Sequence, residues 1–486
     1  MRRISLILAF AVLALVSEAA TAAALAAAAP PPVPRIEQVY FTNAENVLID
    51  HTKPASLEKL KKGEQPPEKA KEVTTINELP NGLPAAQWQS PRGLMTRKTW
   101  PLAFPRERIM KIAKTRIALE PEAEEFIETK LEGAITLIGE TTVGTTAITF
   151  EQKIPEAEAK AQAAERKGYL EAKEEAKASV ALPNEVNSQA MKIKWKWKLK
   201  PKGEAAFEQG AGESTHNLYL TYNAAQPGMN GVKIYFTLLA RDTELVKKIV
   251  KLEKKSQVVS AVWEAFSNGK EPVGMPIWTY VPTTGVVTKT AENMLYYENM
   301  GLGKNLTEVI AEEEKAFARG KRTLAALLEN LDGECGAWQE ALNKALKAEG
   351  IRSQNVKLEP VAGVEGFLVK NWNLPEPGEV GFPNKAEKIT KQEGVHGQGT
   401  VRPSSFFQNH QVLEIENTLY DPSYGLPPLE KPNEGPLGEG AEAKEIQEKY
   451  QAQALAGFCN EGIEEWECRR TPKGLELKFG AQVEVE

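Results

Sequence analysis

The stretch NLDGECGAWQEALNKALKAEGI, residues 330–351, decides how the second half of this chain folds. Its apolar residues recur at intervals of three and four, which predicts an amphipathic helix with one buried face. That face comprises Trp338, Ala341, Leu342, Ala345 and Leu346. Gly350 is typical of the end of a helix, and the turn residues before Cys335 indicate that the helix begins near this cysteine.

Cys335 is flanked by Gly333-Glu334 on one side and by Gly336 on the other. At the start of a helix, unpaired backbone N–H groups and the positive end of the dipole favour a thiolate over a thiol. The thiolate is the nucleophilic form of cysteine, and Gly336 allows a substrate backbone to approach because it has no side chain. An inert, buried free cysteine is the simpler alternative, and the presence of a base decides between the two.

A thiol nucleophile needs a base, and the base needs a group that orients it. The chain has four histidines: His51, His216, His396 and His410. His410 opens the segment NHQVLEIENTLYDP, in which two strands around a Glu416-Asn417 turn would bring Asp421 opposite it, about 5 Å away. A carboxylate there would accept the imidazole Nδ1–H and fix the ring. His396, in a glycine-rich loop, is the substitute base, and Asp421 could instead simply start a turn.

A GECGAW cysteine at a helix start, a histidine on a later strand and an aspartate at the end of the next strand resemble the transglutaminase-like superfamily, which has a papain-like fold. The resemblance covers roughly residues 243–425. It implies that Cys335 is the nucleophile, His410 the base and Asp421 the orienting group. It also implies an acyl-enzyme, formed from an amide or ester and passed to water or to an amine.

The superfamily includes proteases, amidases and protein crosslinkers, so the resemblance leaves the substrate open between a protein or peptide and a cell-wall or surface polymer. Tyr297 and Trp278 are candidates for the side chain that completes the oxyanion hole. A non-catalytic extracellular binding or surface-structural protein on the same fold is the alternative function. The sequence contains no metal-ligand spacing and no phosphate loop, so neither a metal nor a cofactor is expected.

Residues 1–29 have the pattern of a secretory signal peptide. Arg2 and Arg3 precede an apolar run from Ile4 to Val16, and alanines follow. The run is shorter than the roughly 20 residues that cross a bilayer, so a secreted or periplasmic protein without a stable membrane span in its mature chain is expected. The formal net charge of −6 does not favour a nucleic-acid partner.

The chain is predicted to be an α+β protein whose first folded domain is an antiparallel β-sandwich-like domain over residues 91–241. Residues 30–90, rich in Pro, Ala and Lys, are predicted to form a linker or extended segment. Within the domain, residues 155–178 are polar on all sides and favour an exposed helical insertion. The strand at 191–201 alternates apolar residues with lysines, which indicates a solvated face more readily than a surface for polyanions.

The transglutaminase-like core is predicted to occupy residues 242–425 and to follow a strand at 232–240. It would begin with a helix capped by Asp242 whose apolar face runs on to Phe266. Residues 375–404 are rich in Pro, Gly and Lys and are predicted to form a long loop.

Residues 426–486 are predicted to form a linker, a helix and a tail with two cysteines. Cys459 and Cys468 are close in sequence, and export permits disulfides, so we expect these two to pair. Their pairing would leave Cys335 as the free thiol.

Overall fold

The computed structural model describes residues 33–42, 44–45, 47–48, 88–90, 98–224, 234–249, 252–267, 275–281, 286–296, 324, 327–328, 332–364, 366–370, 406–407, 409–430, 441–461, 466–469 and 477–479. The chain combines helices with strands, so the predicted α+β class is confirmed. The predicted signal peptide and the 375–404 loop lie outside the described residues. No helix in the described ranges is both long enough and apolar enough to cross a bilayer.

Most of the described elements in the first half of the chain are strands. Its elements are β1 (Arg35–Phe41), β2 (Val47–Leu48), β3 (Trp88–Gln89), β4 (Lys98–Thr99), β5 (Pro101–Pro105), β6 (Lys111–Ala118), α1 (Pro121–Lys130), β7 (Ile135–Val143), β8 (Thr146–Ile154), α2 (Glu156–Ala164), β9 (Tyr169–Ala172), β10 (Ala176–Lys177), β11 (Asn187–Leu199) and β12 (Phe207–Thr221).

The two longest described helices lie in the second half. Its elements are β13 (Ile234–Tyr235), α3 (Phe236–Val246), α4 (Lys255–Glu264), β14 (Met275–Val281), β15 (Val286–Tyr296), β16 (Asp332–Gly333), α5 (Cys335–Ala348), β17 (Gln354–Pro360), β18 (Gly366–Val369), β19 (Phe406–Phe407), β20 (His410–Ile415), β21 (Thr418–Tyr420), β22 (Leu429–Glu430), α6 (Ala441–Ala454), β23 (Leu455–Glu461), β24 (Trp466–Arg469) and β25 (Leu477–Phe479).

Two sheets of the first half share one hydrophobic cluster. One sheet has the order β10-β6-β1-β3-β4, with β9 also paired to β6, and the other has the order β5-β12-β11-β7-β8. Neighbouring strands are antiparallel except β5 and β12, which run parallel. Ile117 from the first sheet and Trp197 from the second are both fully buried in the shared cluster. The apolar alternation of these strands therefore supplies one core.

The lysine face of β11 is solvated and interleaved with acidic side chains. Lys194 lies opposite Glu213 on one neighbouring strand and opposite Glu140 on the other. Lys196 forms ion pairs with Glu140 at 3.1 Å and with Glu208 at 3.4 Å. Since glutamates on both sides offset the positive charge, the structure favours the solvated-face interpretation of this stripe.

Two predictions for the first half are corrected. Residues 30–90 are not simply a linker, because β1 lies inside the sheet between β6 and β3 and its residues 36–41 are buried. The insertion at 155–178 is not one exposed helix. Helix α2 ends at Ala164, and β9 and β10 then pair with β6. The alanines that suggested a helix are small enough to pack closely, and Ala159 and Ala163 are fully buried.

The start of the second half also differs from the prediction. The apolar run at 232–240 is a helix from Phe236 onward, and Asp242 lies inside α3 rather than capping it. Residues 236–243 are all buried, and periodicity does not separate such a helix from a buried strand. The apolar face expected to continue to Phe266 is divided between α3 and α4, which are separate helices.

The C-terminal residues belong to the same core as α5. One sheet has the order β22-β21-β20-β17-β25 and another has the order β19-β18-β23-β24. Residues after 425 therefore contribute strands to both sheets, rather than forming a separate tail. Ile446 and Tyr450 of α6 are buried in the cluster that contains Trp338 and Cys335.

Candidate functional site

Cys335 is the first residue of α5, as the sequence predicts. Glu334 precedes it in an extended conformation, and the Glu334 carbonyl oxygen accepts the first helical hydrogen bond from the Trp338 N–H at 3.1 Å. The thiol therefore lies at the positive end of the helix, where the first N–H groups have no partner within the helix. Only 8% of Cys335 is exposed.

Two contacts fix the start of α5 against the sheets. Gly333 pairs with Tyr296 of β15, and a Cβ at position 333 would lie 2.9 Å from the Ala337 Cβ, so the tight approach requires glycine. The Gln339 side-chain amide donates to the Val412 carbonyl oxygen at 2.6 Å. This hydrogen bond joins the helix that carries the thiol to the strand that carries His410.

The predicted strand pair around the Glu416-Asn417 turn is confirmed, with Glu416 at a φ of 56°. Its register differs in one respect. Leu413 lies opposite Tyr420, so His410 and Asp421 are not directly opposite each other. The two-residue turn closes the ladder at residues 415 and 418 and sets this offset. Asp421 follows the last residue of β21 and reaches diagonally to the imidazole, with 2.9 Å between His410 Nε2 and Asp421 Oδ2.

The Asp421 carboxylate accepts hydrogen bonds from four donors. Oδ1 accepts the backbone N–H groups of Ser423 at 3.1 Å and Tyr424 at 3.2 Å. Oδ2 accepts from His410 Nε2 and from the Tyr450 hydroxyl at 2.8 Å. The sequence predicted that the carboxylate would take Nδ1–H, but the diagonal approach presents Nε2 instead. The carboxylate therefore does not occupy Nδ1.

Aromatic rings enclose the imidazole of His410. The Tyr424 ring is stacked on it, with 4.2 Å between ring centroids and 3° between ring planes. Phe407 contacts it edge-on at 6.2 Å. His410 is completely buried as a result. Gly425 has a φ of 64°, which lets the chain turn after Tyr424. A Cβ at position 425 would lie 2.9 Å from the Phe266 carbonyl oxygen, so the close approach also requires glycine.

Opposing effects set the charge of His410. Burial lowers the pKa of the imidazole, but the charge of Asp421, its hydrogen bond and the interactions with Cys335 raise it to about 10. Nδ1 makes no hydrogen bond of normal geometry to the described residues, yet the thiol is near enough to contribute to this raised pKa. An imidazolium beside a sulfur at a helix N-terminus is an arrangement that stabilises a thiolate.

The other sequence candidates lie elsewhere. His216 is buried inside β12, where Nε2 is 2.9 Å from Ser214 Oγ, in the cluster of the first half. His51, His396 and Tyr297 lie outside the described residues. Trp278 packs against a separate cluster that contains Ala348, at the opposite end of α5 from the thiol, so the structure does not bring it to the site.

Sequence reasoning missed Tyr424 and Tyr450. Tyr424 follows Asp421 in DPSYG, and a turn signal after a candidate aspartate could have drawn attention to it. Tyr450 carries no such signal, because its helix is separated from β21 by a Pro/Gly-rich stretch and only tertiary packing brings it to Asp421.

Comparison of the chain with protein-family models and with curated proteins finds no match in either case.

Proposed function

We propose that this chain is an exported thiol enzyme of the transglutaminase-like type. In this proposal Cys335 attacks the carbonyl carbon of an amide or ester, His410 transfers protons and Asp421 orients the imidazole. No metal or cofactor takes part. The substrate is a protein or peptide, or a cell-wall or surface polymer. The two sheets of the first half act as a β-sandwich-like domain, and the sheets around α5 act as the papain-like core.

The observation that carries the proposal is the pairing of His410 with Asp421 beside the first residue of α5. His410 Nε2 is hydrogen-bonded to the Asp421 carboxylate, which is itself held by the backbone N–H groups of the turn that follows. This arrangement fixes the tautomer and the ring plane of the imidazole. A buried cysteine with only a structural role would require neither a histidine nor this orienting carboxylate.

The chemistry divides into two balanced steps. The Cys335 thiolate forms a bond from sulfur to the carbonyl carbon, and imidazolium Nδ1–H gives its proton to the leaving amine or alkoxide as the old bond breaks. In the second step the neutral imidazole takes a proton from water or from an incoming amine, which attacks the thioester. The carbon–sulfur bond then breaks, and the thiolate and the imidazolium are restored.

Alkylation of the full chain by iodoacetamide tests the ion pair. Cys335 should react readily at pH 5–6, and His410→Ala should slow that reaction about tenfold or more, because the imidazolium no longer stabilises the thiolate. Peptide mass spectrometry locates the adduct. His216→Ala is the matched control, since it removes a buried histidine outside the site. A profile like that of free cysteine, unchanged by His410→Ala, would contradict the proposal.

The acyl-enzyme itself can be tested with p-nitrophenyl acetate as an activated ester probe. We expect a burst of nitrophenolate that is lost in Cys335→Ala and falls by orders of magnitude in Asp421→Asn, because the imidazole is then misoriented.

A second candidate function rests on burial. With Cys335 only 8% exposed and His410 completely buried, the site is closed in this structure. A non-catalytic binding or surface-structural protein would retain this packing without turnover. Slow alkylation of Cys335 combined with no acylation by the ester probe would favour that function.

A further inference from the structure

One oxygen of Asp421 serves two donors from different parts of the chain. Oδ2 accepts from His410 Nε2 at 2.9 Å and from the Tyr450 hydroxyl at 2.8 Å. His410 belongs to β20, whereas Tyr450 belongs to α6, beyond the range that resembles a known superfamily. The Tyr450 ring also lies 6.5 Å from the imidazole, so it packs beside the pair.

We propose that Tyr450 is a positioning residue for the Asp421–His410 pair: its hydroxyl fixes Oδ2 in place and, by sharing that oxygen, weakens the hold of the carboxylate on the imidazole proton. This inference rests on the proposed function. It adds α6 to the machinery of the site, through a group that contacts the Asp421 carboxylate.

The hydroxyl is suited to act only as a donor. Tyr450 is buried, and burial followed by the charge of Asp421 raises its pKa well above the usual value, so it keeps its proton at physiological pH. A donor to a carboxylate stabilises the negative charge and makes the oxygen a weaker acceptor for other protons. His410 must release a proton to the leaving group in each cycle, and a carboxylate with only one donor on Oδ2 would bind that proton more tightly.

The backbone already supplies part of the orientation. The N–H groups of Ser423 and Tyr424 secure Oδ1 whether or not Tyr450 is present. Deleting only the Tyr450 hydroxyl should therefore leave the carboxylate in place while changing how strongly it attracts the imidazolium. The expected signature is thus a shift in a pH profile, which the loss of packing alone would not produce.

The experiment measures the alkylation rate of Cys335 by iodoacetamide between pH 4 and 11 in the full chain. The alkaline limb of this profile reports loss of the imidazolium proton. Tyr450→Phe keeps the ring and should move the midpoint of this limb upward by about half a pH unit or more, the size expected when a charged group loses one hydrogen bond. It should also slow turnover of p-nitrophenyl acetate.

Tyr280→Phe is the matched control. It removes another buried hydroxyl, which donates to the Thr99 carbonyl oxygen at 2.9 Å in a different cluster, and it should leave the midpoint unchanged. If His410→Ala changes the profile but Tyr450→Phe leaves the midpoint unmoved or lowers it, the role of Tyr450 is refuted and the proposed enzyme stands. If His410→Ala has no effect, the proposed function fails first.

Discussion

Asp421 shows how one side chain can satisfy two interpretations of the same sequence. Its position before Pro422 suggested a turn, and its distance from His410 suggested an orienting carboxylate. In the structure one group makes both sets of contacts, because Oδ1 accepts the N–H groups of the turn while Oδ2 accepts from the imidazole. The turn thus holds the carboxylate rigid for the histidine.

The raised pKa of His410 predicts how stability depends on pH. The folded state binds the imidazole proton more tightly than the unfolded state does, with pKa values of about 10 and 6.5. Stability from this proton is fully present below pH 6.5 and is lost as the pH rises through 10. In urea unfolding, the stability advantage of the wild type over His410→Gln should therefore shrink by a few kcal/mol across that interval. Glu125→Gln, which changes an exposed side chain on α1, should show no such trend.

At the scale of elements, the sequence identified those whose patterns are local. Helix α5, β11 and the β20–β21 hairpin have strong periodicity or a clear turn, and the structure has each as the predicted element, although β11 begins at Asn187, four residues before the predicted start. Helix α3 was mistaken in part for a strand because it is buried all round. The place of β1 inside a sheet depends on partners that lie about 50 to 80 residues further along the chain, which no local pattern reveals.

The same distinction between local signals and long-range packing applies to the site. Cys335, His410 and Asp421 each carry a local signal, and the structure brings Asp421 and His410 together beside the thiol. Which imidazole nitrogen faces the carboxylate depends on strand register, and the sequence did not specify that register. Tyr450 reaches the site only because α6 packs into the core.

The strand pair β23–β24 makes the disulfide prediction geometrically specific. Cys459 and Cys468 are direct partners in this antiparallel ladder. Directly opposed residues have Cα atoms about 4.5–5.5 Å apart, which lies within the range of a disulfide. We expect non-reducing peptide mapping to give one linked pair, and the bond to stabilise the folded state by about 2–3 kcal/mol through loop entropy. Detection of Cys335 in the bridge would contradict this and remove the proposed nucleophile.

At the scale of the whole molecule, the far end of α5 is joined to the sheets of the first half. The Glu349 side-chain carboxyl group accepts a hydrogen bond from the Tyr222 N–H at 2.7 Å. The backbone carbonyl oxygen of Glu349 accepts one from the Asn223 N–H at 3.2 Å. Gly350 completes the contact with a φ of 69°, where a Cβ would lie 2.5 Å from the Ala224 carbonyl oxygen. The helix that carries the thiol therefore spans from the site to this junction.

The junction should respond to pH. Burial, followed in part by the charge of nearby Asp242, raises the pKa of Glu349 to about 8, although the Tyr222 N–H and Arg106 oppose the shift. Because the folded pKa exceeds the unfolded one, stability from this group is present below about pH 4.5 and declines as the pH rises through 8. Glu349→Gln mimics the protonated form, so its stability relative to the wild type should increase by up to a few kcal/mol between pH 5 and pH 8. Glu125→Gln should show no change, and a flat difference for Glu349→Gln would contradict the prediction.

The position of Tyr450 after Cys335, His410 and Asp421 in the sequence has a consequence for biogenesis. Ribosomes make Cys335, His410 and Asp421 before they make α6, so a nascent or truncated chain carries the reactive groups without the hydroxyl that completes Oδ2. If the role proposed for Tyr450 is correct, acyl transfer by such a chain is slow until synthesis has passed residue 450. The order of translation would then delay full acyl-transfer activity until α6 has been made.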